Sequence, residues 1–112
     1  MEKQSNRRVP ATMRQLRVFD AVARHLSFSR AATELHLSQP TVSMQIKQLG
    51  AAVGLPLFEQ IGKRVFLTDA GRLLRATSAE MFDVWANLIA GLPETKKSWL
   101  PSLGYPPENK IA

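Results

Sequence analysis

The sequence predicts a mainly α-helical fold, with a bundle of three helices, a small β-hairpin and a long fourth helix. Three observations support this prediction. Apolar residues recur every three or four positions over most of residues 13–90, as they do on the buried side of amphipathic helices. The period changes between residues 55 and 68, where two short β-prone runs flank a glycine. A regular spacing of three and four then runs from Ala70 to Leu88.

Two helices are expected first, over residues 13–24 and 28–35. Thr12 and Gln15 have the spacing of a capping box, in which the threonine oxygen accepts from an exposed backbone N–H and the glutamine reaches back. Ser27 holds the corresponding cap position before the second helix. Two adjacent alanines on the buried side of that helix allow another helix to come close.

The third helix is expected over residues 39–53, after a tight turn. Ser38 is its cap, Pro40 fits the first turn because its missing N–H costs little there, and Gly54 ends it. The apolar stripe leaves an outer side of mostly short and medium polar residues. These residues are Gln39, Thr41, Ser43, Met44, Gln45 and Lys47.

The change of period predicts a hairpin with strands at residues 55–60 and 65–68. Residues 61–64 connect the strands. They place a glycine and two cations, Lys63 and Arg64, at the tip.

The fourth helix is expected over residues 69–91, with Thr68 as its cap and Asp69 favourably placed in its first turn. Such a helix is roughly 33 Å long at 1.5 Å per residue. A domain this small leaves much of the apolar stripe uncovered, so the sequence predicts pairing with a second chain. The residues expected at the dimer contact are Leu74, Thr77, Met81, Val84, Trp85 and Leu88.

These elements suggest a domain over residues 12–68 followed by the long helix, and two segments flank them. Residues 1–11 are polar, contain two arginines and are expected to form a flexible basic arm. Residues 92–112 hold four of the seven prolines and are expected to form a largely irregular tail.

The composition excludes several classes of protein. The chain has no cysteine, which excludes disulfides, cysteine zinc sites and a thiol nucleophile. Its two histidines, His25 and His36, follow helix ends, and nothing pairs them in a metal or catalytic site. No apolar run approaches the about 20 residues of a membrane span. No apolar stretch follows the N-terminal charges, as a signal peptide would require. We therefore expect a cytoplasmic protein that is not an enzyme, has no cofactor or metal, and does not bind a membrane.

The net charge of +6 is unevenly distributed. Residues 1–75 carry 12 basic and 5 acidic side chains, whereas residues 76–112 carry 3 basic and 4 acidic side chains. The basic excess lies in residues 1–75, which also contain most of the predicted helices and the hairpin. Such an excess on a folded region indicates a polyanionic partner. The order of helix, short helix, tight turn, helix and hairpin is that of a winged helix-turn-helix, whose third helix fits the DNA major groove.

On this fold, Gln39 can bond adenine through both amide atoms, Pro40 or Met44 can touch a thymine methyl, and Lys47 suits a phosphate. The serines and threonines can contact phosphates or base edges. The hairpin cations would reach the minor groove or its phosphates, and the helix starts would face the DNA backbone. The predicted DNA contacts are Ser29, Arg30, Ser38, Gln39, Pro40, Thr41, Ser43, Met44, Gln45, Lys47, Lys63 and Arg64.

Each feature alone also has a plainer explanation. A polar helix face or a basic turn can simply be solvated, and an apolar helix stripe is a packing surface. The element order, the acid-poor third helix and the basic hairpin together favour sequence-specific binding of double-stranded DNA. The alternative is an interaction protein whose fourth helix pairs with a full-length regulator and inhibits it as a heterodimer.

Four short motifs add a resemblance to a known family. They are FSRAA at residues 28–32, LSQPTVS at 37–43, GLPLFE at 54–59 and LTDAG at 67–71. Over residues 12–90 the sequence resembles the N-terminal domain of LysR-type transcriptional regulators.

The resemblance implies a helix-turn-helix at about residues 28–47, a wing, and a linker helix that pairs two subunits. It also implies that the wing residue Lys63 enters the minor groove. The residues that it implies to face bases are Gln39, Pro40, Ser43 and Met44. Together with the element order and the basic excess in residues 1–75, these features predict a dimer on an interrupted palindrome.

The sequence departs from the commonest pattern of this family at three positions. Met44 and Gln60 stand where arginine is usual, and Gly50 stands where glutamate is usual. The two lost cations weaken a phosphate or guanine contact. Residues 43–47 and 53–59 resemble the CbbR-like subfamily, which regulates Calvin-cycle carbon-fixation operons. The family continues into a two-lobed effector-binding domain, which these 112 residues are expected to lack.

Overall fold

A computed structural model describes residues 11–93 of the chain. The elements are α1 (Met13–His25), α2 (Phe28–Leu35), α3 (Gln39–Val53), β1 (Phe58–Ile61), β2 (Arg64–Leu67) and α4 (Asp69–Gly91). The mainly helical fold with one hairpin is therefore confirmed. The expected arm lies outside the described residues except for Ala11, and the expected tail lies outside them beyond Pro93. The chain divides into two compact units, of which the first ends at Ser78 and the second begins at Ala79.

The first three helices begin at the predicted caps. The Gln15 N–H donates to Thr12 Oγ1 at 3.1 Å, and the Thr12 N–H donates back to Gln15 Oε1 at 3.2 Å, which is the expected capping box. Ser27 Oγ accepts from the Arg30 N–H at 3.1 Å, and Ser38 Oγ accepts from the Thr41 N–H at 3.2 Å. Short polar caps thus fix where each helix starts.

The core lies between the three helices and the first strand. Phe19, Val22, Val42 and Leu49 are fully buried, and the two adjacent alanines of α2 are buried as well. The Phe58 ring of β1 lies 5.4 Å from the Phe19 ring and 5.8 Å from the Phe28 ring, measured between centroids. The hairpin is therefore anchored to the bundle by aromatic packing.

The loop of the hairpin is shorter than the sequence predicted. Phe58 pairs with Leu67 and Ile61 pairs with Arg64, so only two residues form the turn. Gly62 has φ 65° and Lys63 does not have a positive φ, which is the pattern of a type II′ turn. The first strand begins later than expected because Pro56 has no N–H to donate to the ladder.

The start of α4 is attached to the α3–β1 loop, which comprises residues 54–57. The Thr68 N–H donates to the Leu57 carbonyl oxygen at 3.1 Å, and Thr68 Oγ1 donates to the Pro56 carbonyl oxygen at 2.7 Å. The same hydroxyl accepts from the Gly71 N–H at 3.0 Å. Thr68 therefore caps α4, as predicted, and also ties it to the loop.

Candidate nucleic-acid interface

One side of α3 and the α3–β1 loop enclose an open groove of about 1000 Å³. Leu55 and Pro56 of the loop line it, together with Phe28 and Phe58. Five of the α3 residues expected to contact DNA line it too, namely Gln39, Pro40, Ser43, Met44 and Lys47. The structure thus brings together most of the side chains that the sequence assigned to base reading.

Two of the expected α3 residues do not line this groove. Thr41 and Gln45 are half-buried, and the Thr41 hydroxyl lies 2.8 Å from Ser38 Oγ within the cap. The same side of α3 continues to Gln48, whose Oε1 accepts from Gln15 Nε2 of α1 at 3.2 Å. Residues four apart share a helix side, so Thr41 and Gln45 lie towards α1 rather than in the groove.

The side chains in the groove are partly preorganised. Gln39 Nε2 donates to Ser43 Oγ at 3.2 Å, one helical turn along α3. A primary amide has two N–H donors and one carbonyl acceptor, so the carbonyl and one N–H are left to meet a base edge. The side chain of Met44 is half exposed and places an apolar group one position from Ser43.

The electrostatics of this surface favour an anion. None of the described residues that line the groove is acidic, and Lys47 is basic. The first turns of α1, α2 and α3 carry no acidic residue that would offset the positive ends of their dipoles. Ser29 and Arg30 are exposed in the first turn of α2. These are the conditions under which helix starts attract phosphate.

The two cations of the hairpin occupy different places. Lys63 is exposed in the two-residue turn, at the tip. Arg64 pairs with Ile61 on the outer face of the hairpin, and its guanidinium carbon lies 5.8 Å from the centroid of the Phe66 ring. This stacking holds Arg64 along the sheet. Lys63 is therefore the cation presented at the tip.

Sequence reasoning missed part of the groove wall. Leu55, Pro56 and Gln60 line the groove, but the sequence placed the first two in a strand and treated Gln60 only as a lost cation. The available signal was Pro56, which cannot join a sheet ladder and so marks the segment as a loop.

A cluster of charged side chains, none of which lines the groove, joins α1 to α2. Arg24 donates to Glu34 Oε2 at 2.7 Å and to Asp20 Oδ2 at 2.9 Å, and His25 Nε2 lies 2.7 Å from Glu34 Oε1. The hydrogen bonds from Arg24, and then from His25, lower the pKa of Glu34 from 4.5 to about 2. The hydrogen bonds that Arg24 donates to Glu34 and Asp20 raise the pKa of Arg24.

Among the described residues, no group of three His, Cys, Asp or Glu is placed to hold a metal ion.

The residues expected at a dimer contact fall into both units. In the first unit Leu74 is half-buried, while its neighbour Leu73 is 70% exposed, and the Thr77 hydroxyl donates to the Leu73 carbonyl oxygen at 2.9 Å. In the second unit the expected contact residues are all exposed, with Val84 the most exposed at 68%. They are Met81, Val84, Trp85 and Leu88.

No helix within residues 11–93 combines the length and apolar character needed to span a bilayer.

The three-helix bundle, the hairpin and the acid-free groove define a winged helix-turn-helix of the DNA-binding type. A family model described as the bacterial regulatory helix-turn-helix protein, lysR family, matches residues 13–72, more than half of the chain. The chain belongs to this family, as the sequence motifs predicted.

Relatives with carbon-fixation names are among the matches. A "RuBisCO operon transcriptional regulator" of Allochromatium vinosum is 67% identical over 61 residues, covering 54% of this chain and 20% of the relative. The "HTH-type transcriptional regulator CbbR" of Rhodospirillum rubrum is 62% identical over 68 residues, covering 61% of this chain and 23% of the relative. The chain thus spans less than a quarter of the length of these relatives, which are named as regulators and not as enzymes.

Solved structures support the same fold. The crystal structure of a CbnR_DBD–DNA complex matches with a TM-score of 0.65 and 32% identity, covering 68% of this chain and 87% of that one. A BenM_DBD complex with catB site 1 DNA matches with a TM-score of 0.67 and 29% identity, covering 70% and 89%. Both neighbours are described as bound to DNA.

Proposed function

We propose that this chain binds double-stranded DNA sequence-specifically as the reading domain of a LysR-type regulator. The observation that carries the proposal is the acid-free groove along α3, with Lys47 in it and the uncompensated starts of α2 and α3 beside it. A major groove is about 12 Å wide and accepts one helix. In this proposal α3 enters the major groove, and the hairpin tip with Lys63 reaches the neighbouring minor groove.

Within that arrangement, the residues divide into those that specify the sequence and those that position the protein. Gln39, Pro40, Ser43 and Met44 face bases, because they line the groove from α3. The phosphate contacts that position the protein come from the helix starts, the cations and Gln45 in the middle of α3. We assign them to Ser29, Arg30, Ser38, Thr41, Gln45, Lys47, Lys63 and Arg64.

Residues 12–68 are the DNA-binding domain in this proposal, and residues 69–91 are the helix through which two copies pair on an interrupted palindrome. The exposed apolar side chains of Met81, Val84 and Leu88 support pairing, because a helix with such a stripe is stabilised when a second helix covers it. We propose a cytoplasmic location, because a DNA-binding regulator of this bacterial family has to reach its operator.

The names of the relatives support a proposal about the regulated genes. Because relatives named as RuBisCO operon regulators are 55% and 67% identical over their matched regions, we propose an operator at a carbon-fixation operon. Footprinting on the promoter of such an operon tests this assignment. Protection of unrelated promoters with equal affinity would contradict it.

The salt dependence of duplex binding tests the function itself. The logarithm of the association constant should fall with the logarithm of salt concentration by about 0.9 for each phosphate that is neutralised. Lys47→Gln should make the slope shallower by about 0.9, whereas Lys47→Arg keeps the charge and should keep the slope. A slope near zero in the unchanged chain would rule out DNA as the partner.

The exposed stripe of α4 also supports a second candidate, an inhibitor that pairs with a full-length regulator of the same family. Native mass spectrometry of the chain mixed with such a regulator distinguishes the two. Mixed dimers that no longer bind the operator favour the inhibitor, whereas homodimers alone favour the DNA reader.

A further inference from the structure

The hydroxyl of Thr68 is bonded on both sides of the junction between the hairpin and α4. It donates its one proton to the Pro56 carbonyl oxygen at 2.7 Å and accepts from the Gly71 N–H at 3.0 Å. The backbone N–H of Thr68 adds a third bond, to the Leu57 carbonyl oxygen at 3.1 Å. An ordinary helix cap needs only the bond that it accepts, so the bond to Pro56 is additional.

The same contact is close-packed around Gly71. A Cβ atom at Gly71 would overlap the Leu57 carbonyl oxygen, which shows how near the backbone of α4 comes to the loop. Arg72 Nη1 donates to the Leu67 carbonyl oxygen at 3.1 Å and thus ties the same turn of α4 to the end of β2. The first turn of α4 has little freedom to move against the α3–β1 loop.

The loop held in this way is the wall of the groove described above. Leu55, Pro56 and Leu57 line it together with Met44 and Lys47 of α3. The carbonyl that Thr68 bonds therefore belongs to a residue that lines the groove. A change in the orientation of α4 at its first turn would move that wall.

We propose that Thr68 is a positioning residue that couples α4 to the DNA-facing groove. The inference rests on the proposed function, in which α4 joins two copies. In such a dimer, the distance between the two α3 helices depends on how rigidly each groove is held to its α4. The Thr68 hydroxyl then sets how strictly the protein discriminates the spacing between two half-sites.

The test compares Thr68→Val, which keeps the shape but loses both hydroxyl bonds, with Thr68→Ser, which keeps both. Thr33→Val is the matched control, because its hydroxyl bonds the Ser29 carbonyl oxygen within α2 and not the loop. The probe is a duplex selected from a random pool by the unchanged chain, remade with its half-sites moved apart or together by one to three base pairs. Binding is measured below the melting temperature of each variant.

In Thr68→Val the preference for the best spacing over the others should fall by about fivefold, the worth of a typical hydrogen bond. Affinity for a single half-site should stay unchanged, and Thr68→Ser and Thr33→Val should keep the original spacing preference. An unchanged preference in Thr68→Val, or an equal loss at every spacing and on the single half-site, would overturn the proposal.

Hydrogen exchange in the absence of DNA separates this inference from the proposed function. Thr68→Val should speed exchange of the Gly71 N–H, and Thr68→Ser should not. If the unchanged chain bound no duplex, the proposed function would fail, and the coupling to DNA would fail with it. If the chain bound DNA but Gly71 exchanged at the same rate in Thr68→Val, only the coupling would fail.

Discussion

Gln39 and Lys63 are both polar and exposed, yet they belong to different kinds of contact. Gln39 lies in the groove, with its amide oriented by the Ser43 hydroxyl, and so presents a fixed donor and acceptor. Lys63 lies at the tip of a two-residue turn and presents a mobile point charge. A fixed pair of hydrogen-bonding atoms can discriminate bases, whereas a point charge attracts any phosphate.

Gln39→Ala should therefore cost about 1–3 kcal/mol on the best site and relax the preference at one base pair. Lys63→Ala should weaken binding evenly across sequences and make the salt slope shallower by about 0.9. Titrations on the selected site and on each of its single-base variants measure both effects. Equal behaviour of the two variants would show that their roles are assigned wrongly.

Met44 gives a second prediction, because the family usually has arginine at this position and the residue lies in the groove. Met44→Arg should strengthen binding at low salt and steepen the salt slope by about 0.9. It should also shift the preferred base towards guanine, which arginine bonds through two atoms. Met44→Leu, which keeps an apolar side chain, is the control and should do neither. A selected site unchanged by the arginine would place Met44 away from the bases.

Glu34 makes the stability of the fold depend on pH. Its pKa falls from 4.5 to about 2 in the folded chain, so the folded state binds protons less readily than the unfolded state. The stabilisation is complete above about pH 4.5 and is lost as the pH falls through about 2. Glu34→Gln should flatten the melting temperature across this window. Arg24→Gln should do the same, because it removes the main partner, and identical curves for wild type and Glu34→Gln would contradict the assignment.

At the scale of elements, most boundaries could be predicted because their causes are local. A cap and a three-four apolar spacing lie within a few residues of each other, and so the starts of α1, α2 and α3 fall where expected. The start of the first strand was predicted three residues too early. Pro56 gave a local signal against a strand there, but the bond from the Thr68 N–H to the Leu57 carbonyl oxygen, eleven residues apart in the chain, gave none. Such a contact joins distant parts of the chain, and no short window of sequence contains it.

The approach of α4 to the loop also gives a stability prediction. Gly71→Ala should destabilise the fold by about 1–3 kcal/mol, because its methyl group would overlap the Leu57 carbonyl. Gly50→Ala is the matched control, since its Cβ would lie 3.4 Å from the nearest atom, the Leu55 carbonyl oxygen, and Gly50 lies within a helix. It should stabilise the fold by about 0.5–1 kcal/mol. Urea unfolding measures both changes. An unchanged free energy of unfolding in Gly71→Ala would show that the α3–β1 loop shifts to accommodate the methyl group.

For the whole molecule, the sequence located the groove surface only in part. The alternation of apolar and polar residues separates the buried from the outer side of α3, which identified Gln39 and Met44 as candidates. It cannot show that α1 covers the side holding Thr41 and Gln45, because that depends on how the helices cross. Nor can this alternation show that the α3–β1 loop forms a wall of the groove beside α3.

Assembly into a dimer is the prediction at this scale. Val84→Glu should weaken pairing by about 3 kcal/mol, because it would bury an unpaired charge between two helices. Ala79→Glu adds the same charge five residues earlier, about 140° round the helix, and should leave pairing intact. Sedimentation across a range of concentrations measures the monomer fraction. Dimers of equal stability in both variants would mean that α4 is not the contact.

The contact of Phe58 with the rings of α1 and α2 has a consequence for how the domain unfolds. A two-stranded hairpin is marginally stable alone, and this one depends on a ring that is shared with the core of the bundle. The wing and the bundle should therefore open and close as one cooperative unit. Under this coupling, the hairpin unfolds when the packing of the bundle is lost. Partly unfolded molecules should then contact neither the major groove nor the minor groove of the duplex.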